Sequence, residues 1–115
     1  MFWRLSPSKI ILTGLGLLIL AISSANAKDK LGLTKAEQSL IWERGTLSGQ
    51  AERCGLDWAG QNFLPMMRYW RRIGKNEKET AIIAALHGGA QSSAKPVACT
   101  PANIQKLRSR LKFKK

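Results

Sequence analysis

The sequence predicts an all-α fold: a small bundle of three to five short helices around one core, cross-linked by one disulfide. Three observations predict it. Apolar residues recur at three- and four-residue spacing behind recognisable helix starts. No stretch alternates strictly between apolar and polar, and β-branched residues are few, so no strand signal competes. The chain has two cysteines, Cys54 and Cys99, at the end of one helical stretch and the start of another.

Residues 1–27 read as a cleavable secretory signal peptide. Arg4 and Lys9 make a positive start, residues 10–22 are apolar, and Ala25-Asn26-Ala27 supplies small residues at the cut. The apolar run is shorter than the roughly 20 residues a spanning helix needs, so no transmembrane segment is expected after cleavage. The pattern is bacterial and implies a periplasmic or secreted protein. Residues 28–115 then form a single small helical domain of 88 residues, marginal for one core without a covalent staple. An oxidising compartment and the single possible pairing make Cys54–Cys99 that staple.

Each element has its own start and stop. Residues 28–33 are short, charged and read as a loose leader. Thr34 and Glu37 fit a capping box that opens a helix running to about Cys54. Leu40, Leu47, Ala51 and Cys54 form its apolar stripe, widened by Ile41, while Trp42 falls off centre, at the rim or facing a partner. Gly45 and Gly49 weaken this helix and let another backbone approach. Gly55 is placed to end it, and Asp57 to cap the next, beginning at Trp58. Pro65 predicts a break or kink there.

Beyond the proline, Phe63, Met66, Met67, Trp70 and Ile73 form a core-facing stripe, with Arg68, Arg71 and Arg72 on the other sides and Gly74 as the stop. Asn76 and Glu79 start the next helix, whose face carries Ile82, Ile83 and Leu86. His87-Gly88-Gly89 reads as its end, with His87 satisfied by the last carbonyls, and 90–96 as a loop. Thr100-Pro101 opens the final helix, with Ile104, Leu107 and Leu111 on one side. Phe63, Met66, Trp70, Ile82, Leu86, Leu107 and Leu111 are expected to share one core.

Catalytic chemistry finds little to stand on. With both cysteines paired and one histidine, no nucleophilic set is suggested, and the carboxylates occupy caps or helix surfaces. No phosphate loop, metal cluster or cofactor motif appears, so neither an enzyme nor a cofactor or metal site is expected. Charge carries more information. Removing 1–27 takes away Arg4 and Lys9 and no acid, leaving 17 basic against 7 acidic residues, or +10. Such a chain favours anionic partners, and outside the cytoplasm no nucleic acid is expected.

Two non-enzymatic roles follow. One is a binding or adaptor module for an acidic envelope partner, using Arg68, Arg71, Arg72, Lys106, Arg108 and Arg110 with Trp42, Tyr69 or Trp58 as anchors. The other is an envelope-surface binder whose basic final helix meets anionic lipid or lipopolysaccharide. The layout also resembles, in outline, the small periplasmic acid-stress chaperones: a signal peptide, about 90 mature residues, helices and one disulfide. That resemblance implies a stress-chaperone-like role and carries no residues over.

Overall fold

The first helix starts where Thr34 and Glu37 close the predicted capping box: Glu37 N–H donates to Thr34 Oγ1 at 3.0 Å and Thr34 N–H to Glu37 Oε1 at 2.9 Å. In this computed structural model, which describes residues 31–115, α1 spans Lys35–Arg53. The signal read over 1–27 lies outside the described residues. The leader is not loose at its end, because Leu33 is fully buried in the core beside Ile41, Met66 and Trp70.

Leu56 N–H then bonds Ala51 O at 2.9 Å and Gly55 N–H bonds Glu52 O at 3.1 Å. This double closure needs the left-handed backbone that Gly55 takes, with φ +71°. Asp57 caps the next helical run by accepting from Gly60 N–H at 2.9 Å. The break or kink expected at Pro65 takes the form of a change of helix type without a gap. A π-helical turn (Ala59–Phe63), in which Leu64 N–H reaches back five residues to Ala59 O, leads straight into α2 (Leu64–Arg72). The wider turn reassigns the carbonyls around the proline ring. One of them, Gln61 O, which Pro65 has no N–H to serve, accepts from Phe113 N–H at 2.9 Å.

A second glycine closure, at Gly74, ends α2. Met66, Met67 and Trp70 are buried as the stripe requires, but Ile73 is half exposed because that closure carries it past the packed face. Asn76 and Glu79 form a second capping box at the head of α3 (Glu77–Ser93). His87-Gly88-Gly89 does not end α3, which continues one turn further and holds residues 90–93. Packing decides this. A Cβ on Gly45 would collide with the His87 carbonyl oxygen and lie 2.7 Å from the Ala90 Cβ. One on Gly49 would collide with the Gln91 carbonyl oxygen and lie 2.7 Å from the Ala94 Cβ. The contact of α1 with α3 extends past Gly88 and Gly89, and it outweighs the roughly 1 kcal/mol each costs a helix.

The last helix, α4 (Pro101–Leu111), is capped by Thr100 and packs on α1. Four α-helices with no strand among the described residues make this an all-α bundle, pinned by the Cys54–Cys99 disulfide with Cα atoms 5.5 Å apart. The expected core residues divide inside it. Phe63, Met66, Trp70, Ile82 and Leu86 belong with Leu33, Ile41 and Ile83. Leu107 and Leu111 pack with Leu47, Ala51 and Leu56. Phe113, beyond α4, returns to the first group.

Three stability outcomes follow. Replacing Cys54 and Cys99 by serine opens a loop whose ends are 45 positions apart and should cost roughly 2–5 kcal/mol in urea unfolding. Gly49→Ala should lose about 1–3 kcal/mol despite its better helix propensity. Gly88→Ala, whose Cβ meets nothing within 4 Å, should gain about 0.5–1 kcal/mol. A Gly49→Ala protein as stable as Gly88→Ala would contradict the close crossing of α1 and α3.

Candidate functional site

Between the two apolar groups lies a polar layer. On α1, Arg44 and Ser48 fall between Ile41 and Ala51; His87 falls between Ile83 and Ala90 on α3; and Asn62 sits on the π-helical turn. Ser48 and Asn62 are fully buried and His87 nearly so. Arg44 Nε donates to Asn62 Oδ1 at 2.6 Å, which orients the amide. Its Nδ2 then donates to Arg44 O at 2.7 Å and Ser48 Oγ at 2.8 Å. Ser48 Oγ also shares a hydrogen bond with His87 Nε2, 2.8 Å away, its direction set by the tautomer of the ring. Trp58 stacks on the His87 ring at 6.1 Å and Phe63 tilts against it at 4.7 Å.

A serine hydroxyl on an imidazole is the contact of a nucleophile with its base. Here both groups are sealed from solvent, and an amide holds the hydroxyl from the other side, so the pair cross-links α1 to α3. Burial, with the charge of Arg44 adding to it, pulls the His87 pKa from its ordinary 6.5 to about 4. This reverses the expected role for His87, since it is mid-helix and neutral rather than a cation at a helix end. Among the described residues no three metal-ligating side chains cluster, and no helix is long and apolar enough to cross a membrane.

The exposed candidates fall into separate places. Phe113 tucks between α1 and α2, its ring 5.7 Å from Tyr69 and 5.4 Å from the Arg44 guanidinium. That anchors residues 112–115 beside α2. Arg72 Nη2 donates to Lys115 O at 3.1 Å, and the Arg72 and Lys115 cations lie 5.8 and 5.7 Å from the Tyr69 ring. Arg68 and Lys112 line one cleft between the π-helical turn and this strap. Arg68, Arg72, Lys112 and Lys115 thus share one face with Tyr69. Among the described residues none of the four pairs with an Asp or Glu side chain.

The remaining candidates do not join that face. Arg71 lines the groove between α2 and α3 with Leu64, Met67, Glu77 and Ala84. Trp42 is 46 % exposed over a different groove, beside Glu43 and Leu86, with its ring edge at Gly89. Trp58 is half-buried against Phe63 and His87. Lys106 and Arg108 are exposed on α4, and Arg110 approaches Glu43 at 3.9 Å. Sequence reasoning missed Phe113 and the Arg44–Asn62–Ser48 set. The available signals were an aromatic inside a lysine run and a polar Arg-x-x-x-Ser pair between Ile41 and Ala51. No protein family, curated protein or solved structure matches the chain significantly.

The neutral state of His87 gives a pH prediction. Between about pH 6.5 and 4 the unfolded chain binds a proton at His87 that the folded chain refuses. Stability from the neutral ring is therefore complete above about 6.5 and is lost as pH falls toward 4, by on the order of 3 kcal/mol. Urea midpoints at both pH values, for the natural chain and for His87→Gln, measure it. The variant should lose less on acidification; equal losses would mean that His87 is not held neutral.

Proposed function

We propose that this chain is a non-enzymatic binding module of the bacterial envelope or its surroundings, exported by residues 1–27, that recognises an acidic protein partner. The observation that carries this reading is the strap of residues 112–115 lying beside α2. It brings Lys115 with Arg72 to the Tyr69 ring and Lys112 to a cleft with Arg68, with none of the four paired to a carboxylate side chain among the described residues. Several like charges held together raise the local concentration of an anionic partner and speed its docking. Arginine and tyrosine are also the residue types that supply large contact energies at interfaces.

The anionic-surface alternative depended on the final helix offering an apolar face to lipid. Leu107 and Leu111 are instead buried against α1, which favours the protein partner. The test is capture from an envelope extract by the oxidised protein at low and high salt, repeated with Arg68→Glu/Arg72→Glu/Lys112→Glu. These residues are exposed, so the fold should survive. An acidic protein released by salt, and held about tenfold or more weakly by the triple variant, supports the reading. Equal capture by the variant, or retention on phosphatidylglycerol vesicles with no protein partner, overturns it.

A further inference from the structure

The face described above has a concave centre. Gly60, Gln61, Pro65, Arg68, Lys112 and Phe113 line a cleft of about 490 Å³ between the π-helical turn and the strap. Its two cations come from segments 44 positions apart in sequence, and only the seating of Phe113 brings them to one cleft. The seat is built from three sides. Pro65 has no N–H to offer Gln61 O, and Phe113 N–H donates to that carbonyl at 2.9 Å. The Phe113 ring is 9 % exposed, against Tyr69 and under the Arg44 guanidinium. Arg44 also donates to the Arg110 and Leu111 carbonyls, holding the end of α4 from which the strap departs.

Among the described residues no acidic side chain answers either cation. Asp57, three positions before Gly60 of the cleft lining, is engaged by Gly60 N–H at 2.9 Å, and no ion pair joins it to Arg68 or Lys112. A guanidinium presents a planar fork that matches a carboxylate in two hydrogen bonds, and an ammonium adds a third, movable donor. Two cations held near each other without a counter-charge repel one another, and a bound carboxylate relieves that repulsion.

Resting on the acidic-partner reading, we propose that this cleft is the subsite for a carboxylate side chain of the partner, held between Arg68 and Lys112, with Phe113 as the positioning residue that assembles it. Phe113 carries no charge and acts only by fixing where Lys112 stands. Its loss should therefore weaken binding while leaving the net charge unchanged.

The test measures binding of a fluorescein-labelled ten-glutamate peptide to the full oxidised protein by anisotropy. Arg68→Ala and Lys112→Ala should each weaken it about five- to tenfold, and the double variant by less than the product, because the two share one carboxylate. Phe113→Ala should weaken it about as much as Lys112→Ala, and Phe113→Leu, which keeps an apolar anchor and the fold, by clearly less. Lys106→Ala/Arg108→Ala, which removes two exposed charges from α4, should change affinity less than twofold. If Phe113→Leu and Phe113→Ala, each folded by circular dichroism, both bind like the natural chain, the cleft is not the subsite. Fully multiplicative effects of Arg68→Ala and Lys112→Ala overturn it as well. Should the natural chain bind no acidic peptide, the acidic-partner reading itself fails, a result distinct from the other two.

Discussion

The guanidinium of Arg44 sits where four segments meet, and each of them presents a group that it satisfies. It donates to the Asn62 amide on the π-helical turn, and to the Arg110 and Leu111 carbonyls at the end of α4. Its face covers the Phe113 ring of the strap, while its own carbonyl on α1 receives Asn62. Partial burial and the neighbouring Arg110 make the cation harder to hold, and Glu43 works the other way. The cost of taking a charge out of water is offset only because its donors find partners. Take the guanidinium away and an amide and two helix-end carbonyls lose theirs together.

This arrangement explains why the interior is not uniformly apolar. Leucine and isoleucine cores tolerate sliding, since one apolar neighbour replaces another at little cost. A row of Arg44, Ser48, Asn62 and His87 does not, because displacement by one helical turn leaves buried donors and acceptors unpaired. Each such group costs about 1–3 kcal/mol. The small-residue crossing of Gly45 and Gly49 on Ala90 and Ala94 adds a constraint of shape to that constraint of hydrogen bonding. Together they align α1 and α3 along their length, and the disulfide then ties the end of α1 to the approach of α4.

The same devices carry the charge to where it is useful. Residues 112–115 contain three lysines that would repel one another and the arginines of α2 if only electrostatics acted. One buried phenylalanine and one backbone hydrogen bond, made available by a proline four residues beyond its acceptor, hold them beside Arg68 and Arg72. Apolar burial and a carbonyl to which the proline offers no N–H thus do the positioning, and the surface left behind is strongly positive.

Helix existence was legible from local chemistry. Thr34 with Glu37, Asn76 with Glu79, Gly55, Gly74 and Thr100-Pro101 act within one turn of themselves, so their effect can be read without knowing the fold. Two cysteines in a short chain left one pairing, and Met66, Met67 and Trp70 declared a buried face by spacing alone. What could not be read was every outcome set by a partner distant in sequence. Gly88 and Gly89 look like a stop until Gly45 and Gly49 pack on that length of α3. Pro65 announces an irregular turn, but not that Phe113, 48 positions away, serves the carbonyl to which the proline offers no N–H. Phe113 looks like part of a charged tail, and Ser48 and Asn62 like surface residues, until burial pairs them. Capping and periodicity are short-range and belong to the sequence; which polar groups are buried together, and which basic residues share a face, belong to the tertiary structure, because desolvation is decided only by what comes to lie alongside.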